Sequence, residues 1–236
     1  MAGLVDTQIR DSYKSVLRVN DNTNGIDSSL EVVEDGAGTD SPIKVSTTNV
    51  TVLDHQVNTQ YAYFGMAYDG TTSFAANTHY PIIYNGHYIV HGNADTDFGT
   101  GTDPDDTFTT ADTDTQYASQ IVPCIWRVPD DITIDGVTHI EGADNATGDV
   151  TRMHLKSFTF TSGSASCLTS GALLAHNHDD GTEIGVTNAG NEQAYLTTWT
   201  VDSANVDSGD VILCFFRCDS NSSDYSINVT VKYHLR

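Results

Sequence analysis

Apolar and polar residues in this chain alternate with a period of two, and the alternation is cleanest at the C-terminus. Tyr225, Ile227, Val229, Val231, Tyr233 and Leu235 are interleaved with Ser226, Asn228, Thr230, Lys232, His234 and Arg236. That pattern predicts a long strand with one buried face and one wet face. Two hairpins are signalled by the turn pairs that favour a two-residue type I′ connection. Tyr80-Pro-Ile-Ile-Tyr84 and His87-Tyr-Ile-Val-His91 flank Asn85-Gly86, and Ile132-Thr-Ile134 and Val137-Thr-His-Ile140 flank Asp135-Gly136. Further strands are predicted at 49–54, 60–67, 117–126, 152–162, 194–201 and 210–217. No stretch of ten residues with helical spacing escapes interruption by Gly or β-branched residues. Many short strands separated by turn signals imply a sandwich or barrel.

The N-terminal region has shorter apolar runs. Val16-Leu17-Arg18-Val19 is followed by Asp21-Asn-Thr-Asn-Gly25, and a second run is followed by Asp35-Gly-Ala-Gly38, which supply the positive-φ positions that tight turns need. Strands this short bury little surface by themselves and gain order against a partner. The segment Tyr13–Ser46, about a seventh of the chain, resembles the N-terminal segment of many structural proteins of tailed-bacteriophage particles, especially fibre-like and surface appendages. Gly209-Asp-Val-Ile-Leu-Cys-Phe-Phe216, an Asp-Ser-Asn-Ser-Ser turn and the long final strand resemble the closing pair of jelly-roll domains, which in phage appendages commonly form trimers.

The expected fold is therefore all-β, an antiparallel jelly-roll-like β-sandwich with an extended N-terminal arm. Residues 1–48 would be the docking arm of short strands and turns, and residues 49–236 the jelly-roll-like sandwich. The resemblance implies a non-enzymatic structural protein of a tailed-phage virion. First in order is a homotrimeric capsid decoration (cement) protein on the outer surface, and next a head or tail fibre protein. Its partners would be itself and other virion proteins, such as the major capsid protein or a tail or neck protein. The alternative, from another class, is a host-glycan-binding receptor-recognition module. Made in the host cytoplasm, the protein would end on the outside of the virion.

Charge narrows the partners. The chain of 236 residues carries 10 basic and 32 acidic side chains, a net charge of -22. So acidic a surface repels phosphate backbones and has no counterions to release to them, so nucleic acid is not expected as a partner. No run approaches the roughly 20 apolar residues of a membrane-spanning helix, so no membrane partner is expected either. Hydrophobic residues make up 38% of the chain, with Gly, Ser, Thr, Asn and Asp abundant, a composition suited to strands and turns.

Candidate chemistry is sparse. The chain has no G-x-S-x-G, H-E-x-x-H or P-loop motif and no G-x-G-x-x-G opening a helix, and no catalytic residue or cofactor is assigned. Cys124, Cys167, Cys214 and Cys218 sit in or beside apolar runs and read as small buried hydrophobes. Cys214 and Cys218 share a predicted strand, where four residues span about 13 Å, too far for a disulfide. Residues 92–116 hold seven Asp and no Lys or Arg, and are expected to form an exposed, mobile surface loop without apolar content, dispensable for the fold. Within it Asp95, Asp97, Asp103, Asp105 and Asp106 offer hard oxygen ligands of the kind Ca²⁺ takes, but the spacing fits no EF-hand. His176 and His178 would point the same way on a strand, yet Asp179-Asp180-Gly181 follows, and both are expected as exposed loop residues. Neither set is assigned as a metal site. Tyr61, Tyr63, Tyr80, Tyr84, Tyr88 and Trp199 could form a glycan platform only if several shared one exposed face.

Overall fold

The computed structural model describes residues 17–21, 23–68, 75–86, 96–110, 118–144, 148–178, 186–187, 193–219 and 224–236. The chain divides into two compact units, Met1–Thr59 and Gln60–Arg236. The division falls after Thr59, later than the expected end of the arm at residue 48.

In the first unit, β1 (Arg18–Val19), β2 (Glu31–Glu34), β3 (Asp40–Val45), β4 (Val50–Val52) and β5 (His55–Gln56) pair in sequence order as an antiparallel meander. The turns are built by side chains. Asp35 Oδ1 accepts the N–H groups of Thr39 and Ala37, each at 2.8 Å, and Gly38 takes the φ of 80° that closes the β2–β3 connection. Those N–H donors hold the Asp35 carboxyl below the ordinary range. Leu53 and Asp54, at φ 53° and 63°, form the two-residue link between Val52 and His55 that a type I′ turn requires. The sheet is thin, and Leu17, Ile26, Leu30, Ile43, Val50 and Val52 are all exposed.

Among its described residues the second unit is all-β apart from one short helical stretch. Its strands are β6 (Thr59–Tyr68), β7 (Tyr80–Tyr84), β8 (Trp126–Arg127), β9 (Ile132–Asp144), β10 (Val150–Phe160), β11 (Leu168–His176), β12 (Val186–Thr187), β13 (Gln193–Thr198), β14 (Thr200–Val201), β15 (Asn205–Val206), β16 (Val211–Cys218) and β17 (Asp224–Leu235). They run in the order β13-β9-β17-β6-β7-β16-β10-β11-β14, with β8 on β16, β12 on β10 and β15 on β9. The sheet folds over to give an antiparallel, jelly-roll-like sandwich, with β16 and β17 in opposite halves. Between the halves lies the main core, to which β17 gives Tyr225, Ile227, Val229 and Val231, β6 gives Phe64 and Met66, and β10 gives Met153 and Leu155. The alternation read at the C-terminus is thus the inner and outer face of β17.

Three local expectations are corrected. Asp135-Gly136 does not turn the chain: β9 runs straight through it as one strand. Opposite it, β17 pairs Lys232 with Gly136 and Tyr233 with Ile134, leaving Asp135 as the extra residue of a β-bulge. The buried set, Ile132, Ile134, Val137, His139, Glu141, skips one position there. The bulge absorbs that skip and keeps both segments facing inward. The strand expected at 117–126 is instead a helical turn, α1 (Ala118–Ile121), running into a 3-10 turn (Val122–Cys124). Pro123 cannot donate to a ladder, and Ile121 and Cys124, three apart, are buried together. The partner strand of the Asn85-Gly86 hairpin, 87–91, lies outside the described residues.

The third correction concerns the acidic loop. Every residue of β16 is buried, because both its faces are covered. Ile212, Cys214, Phe216 and Cys218 face the main core, whereas Val211, Leu213 and Phe215 face a second cluster with Phe158, Leu168, Ile121 and Cys124. Phe98 and Phe108 from the acidic loop complete that cluster, stacked on each other at 5.3 Å between centroids, with Phe98 4.7 Å from Phe215. The described part of the loop, 96–110, is therefore a cover over the outer face of the sheet and not an apolar-free surface excursion. All four cysteines are buried free thiols, and burial pushes Cys124 up to about 12.

Candidate metal centre

Strand β10 places Arg152, His154, Lys156 and Phe158 on the face that the acidic loop covers, and all four are buried. Lys156 is satisfied by the loop: its ammonium lies 2.6 Å from Asp106 Oδ1 and donates to the Pro104 carbonyl. Asp106 thus has a basic partner on the strand beneath the loop, and the pairing offsets the cost of desolvating the lysine.

One step along β10, His154 lies opposite His176 of β11 and opposite Phe215 of β16. Past the end of β11, Asn177 still grips β10, its N–H donating to the Met153 carbonyl at 3.2 Å and its side-chain oxygen accepting the Met153 N–H at 2.7 Å. That double bond to the neighbouring strand sets His178 over His154, with the two Nε2 atoms 2.6 Å apart. Asp103 Oδ1, on the loop, is 3.6 Å from each of these nitrogens. His154, His178 and Asp103 therefore aim two imidazole nitrogens and one carboxylate oxygen at a common point, and these three residues could hold a metal ion.

Two more histidines surround the group. The His79 ring packs edge-on against His154 at 4.7 Å and the His176 ring lies 4.2 Å from His178. His79 Nδ1 is 3.1 Å from the Gly99 carbonyl, so it carries the hydrogen and leaves the Nε2 lone pair bare. His176 Nε2 is 3.3 Å from Asp202 Oδ1. Burial, followed by the neighbouring histidines and Arg217, holds His154 well below the usual histidine range. Burial takes His79 down to about 3, opposed only by its bond to Gly99. Both rings are thus neutral near pH 7, with lone pairs available.

A second buried polar group lies in the main core. Trp199 Nε1 donates to His139 Nδ1 at 2.7 Å, which puts the His139 hydrogen on Nε2, 3.5 Å from Glu141 Oε2. Thr151 Oγ1 donates to the same oxygen at 2.6 Å. This network joins β9, β10 and the residue between β13 and β14.

The residues singled out in the sequence fare unevenly. Asp95 lies outside the described residues. Asp97 accepts the Gly99 N–H at 3.2 Å and Asp106 pairs with Lys156, so among the described loop carboxylates Asp103 is the one grouped with His154 and His178. His176 and His178, expected to be exposed, are buried. The strand β11, which ends at His176 with His178 two residues beyond, was not anticipated, because its run Leu168–His176 mixes small and polar residues with no clean alternation. His154 was missed; its only signal was three basic residues, Arg152, His154 and Lys156, at alternating positions of one strand. Among the aromatics, Tyr80 and Trp199 are core residues, Tyr84 is half-buried and Tyr88 lies outside the described residues, whereas Tyr61 and Tyr63 are exposed side by side on β6. Comparison with protein-family models and with curated proteins gave no match.

Proposed function

We propose that this chain is a non-enzymatic structural protein of a tailed-phage particle, a homotrimeric capsid decoration protein displayed on the outer surface and attached through its N-terminal unit. The observation that carries this reading is the first unit itself: a small sheet, distinct from the sandwich, that leaves most of its apolar side chains exposed. A sheet of that kind is stabilised by covering that surface with a partner, and its sequence is the segment that resembles phage appendages. The charge supports an outward position, since a net charge of -22 disfavours contact with packaged nucleic acid.

Self-association has its own support in the sandwich. The outer face of β13, β9, β17 and β6 presents Leu196, Ile140, Asn228, Thr230, Tyr63 and Tyr61. On a chain this acidic, a face whose named residues carry no carboxylate and where Leu196 is 75% exposed is where copies meet with least repulsion. The same two tyrosines keep the glycan-binding alternative in view, but the platform it needs has lost Tyr80 and Trp199 to the core.

Centrifugation tests the reading. The full chain and the piece Gln60–Arg236 are each sedimented alone and with particles stripped of the protein. Both should run as trimers, and only the full chain should travel with the particles. A full chain found solely as the 25.5 kDa species, or a truncated piece that binds particles equally well, contradicts it.

A further inference from the structure

We infer that Asp103, His154 and His178 form a binding site for one divalent transition-metal ion, zinc by ligand chemistry, which fastens the acidic loop to β10 and the end of β11. Two imidazole nitrogens and one carboxylate oxygen are borderline ligands that suit zinc and its neighbours, whereas Ca²⁺ and Mg²⁺ take oxygen shells. The geometry agrees. Ligands each about 2.0–2.1 Å from a tetrahedral zinc ion stand about 3.3 Å from one another. The three atoms here are separated by 2.6, 3.6 and 3.6 Å, so a small opening of the two rings and a small approach of Asp103 bring all three to that spacing.

The surroundings give the ion a reason to be there. His154 is fully buried and its Nε2 faces a second imidazole nitrogen, a pairing in which at most one can carry a hydrogen. Four imidazoles are gathered here, with ring centroids 4.2–4.7 Å apart along the series His176, His178, His154 and His79. A dication held between the two facing Nε2 lone pairs and the Asp103 carboxylate gives these three atoms one common partner. Asp103 is 47% exposed at its side chain, which gives the ion a way in and leaves a fourth position for water. The three ligands come from three separate pieces of chain, so the ion would act as a cross-link, not as a catalyst. This inference stands apart from the particle reading and holds or fails without it.

The test uses the untagged full chain, stripped with chelator and dialysed. Zn²⁺ is titrated calorimetrically, Co²⁺ is added for its visible absorption, and Mg²⁺ and Ca²⁺ serve as controls. One Zn²⁺ per chain, the intense visible bands of tetrahedral Co²⁺ and a Tm raised by Zn²⁺ but not by Mg²⁺ or Ca²⁺ are expected. Asp103→Asn and His178→Gln should each weaken Zn²⁺ binding at least tenfold, and His55→Ala, at an exposed histidine of the first unit, should not. Asp103 is half-exposed, so its variant should keep the wild-type circular dichroism even if His178→Gln does not fold. No uptake of Zn²⁺ or Co²⁺ by the folded chain, or uptake that Asp103→Asn weakens less than tenfold, overturns the inference.

Discussion

Glu141 shows what a single buried side chain does in this sandwich. Its carboxylate lies in the main core, within reach of Thr151 and His139, and His139 in turn holds Trp199. Acceptors in such a place are costly unless used, and removing one costs more than its bonds were worth, because the donors left behind stay buried. Glu141→Ala should therefore lower the unfolding free energy by about 3–5 kcal/mol, whereas Thr151→Val, which removes one hydroxyl, should cost about 1 kcal/mol. Urea denaturation followed by Trp fluorescence distinguishes the two. Equal and small effects would mean that the network is solvated and does not tie the two halves together. At this scale the sequence is nearly silent: His139 and Glu141 sit at inward positions of a strand, but nothing in the alternation says that two polar residues will be satisfied there by Thr151 and Trp199.

Among the elements, β16 and the loop over it explain each other. A strand whose eight residues are all buried needs covers on both faces, and the acidic loop supplies one of them with Phe98 and Phe108. Phe98→Ala should cost about 3–5 kcal/mol, and should expose the Cys124 and Cys167 thiols to a modifying reagent at a faster rate. A loss within a few tenths of a kcal/mol, with thiol reactivity unchanged, would restore the dispensable loop expected from composition. The expectation of a loop without apolar content failed because seven aspartates dominated the reading of the segment, while the two phenylalanines that fix its course are ten residues apart and follow no period. Legibility elsewhere tracked local pattern. β6, β10, β16 and β17 were readable because their periodicity or apolar run is local. The bulge at Asp135 mimics a hairpin turn, and only pairing with β17 shows which it is. The metal site was half visible. Asp103 and His178 were each noticed within separate candidates, but the fold joins them through His154, three segments with no sequence relation.

For the whole molecule, two compact units and a strong imbalance of charge set what the chain can join. The sandwich has its own core and needs no partner to bury it, whereas the first unit has exposed apolar residues and few means of covering them by itself. Mutual repulsion of acidic copies is lowest where the outer face of β9 and β13 carries Ile140 and Leu196 without charge. These are the features on which the proposed particle role rests: exposed apolar residues in the first unit, a face of the sandwich where copies repel least, and a net charge of -22. The all-β class and the strand-rich sandwich were legible from period-two alternation and turn residues. The limit of the first unit was not, because its strands and the start of β6 form an unbroken series of the same short, polar-flanked pattern.

The most direct measurement of the proposed role is electron microscopy of intact phage particles produced by cells that make this protein, labelled with gold-conjugated antibody raised against Gln60–Arg236. Regular labelling over the outer shell is the result predicted for a decoration protein. Label confined to the tail or to head fibres would move the protein to the second place in the order given above. Particles that carry no label, although the same antibody detects the protein in the infected-cell lysate, would contradict the central claim that this chain is part of the virion.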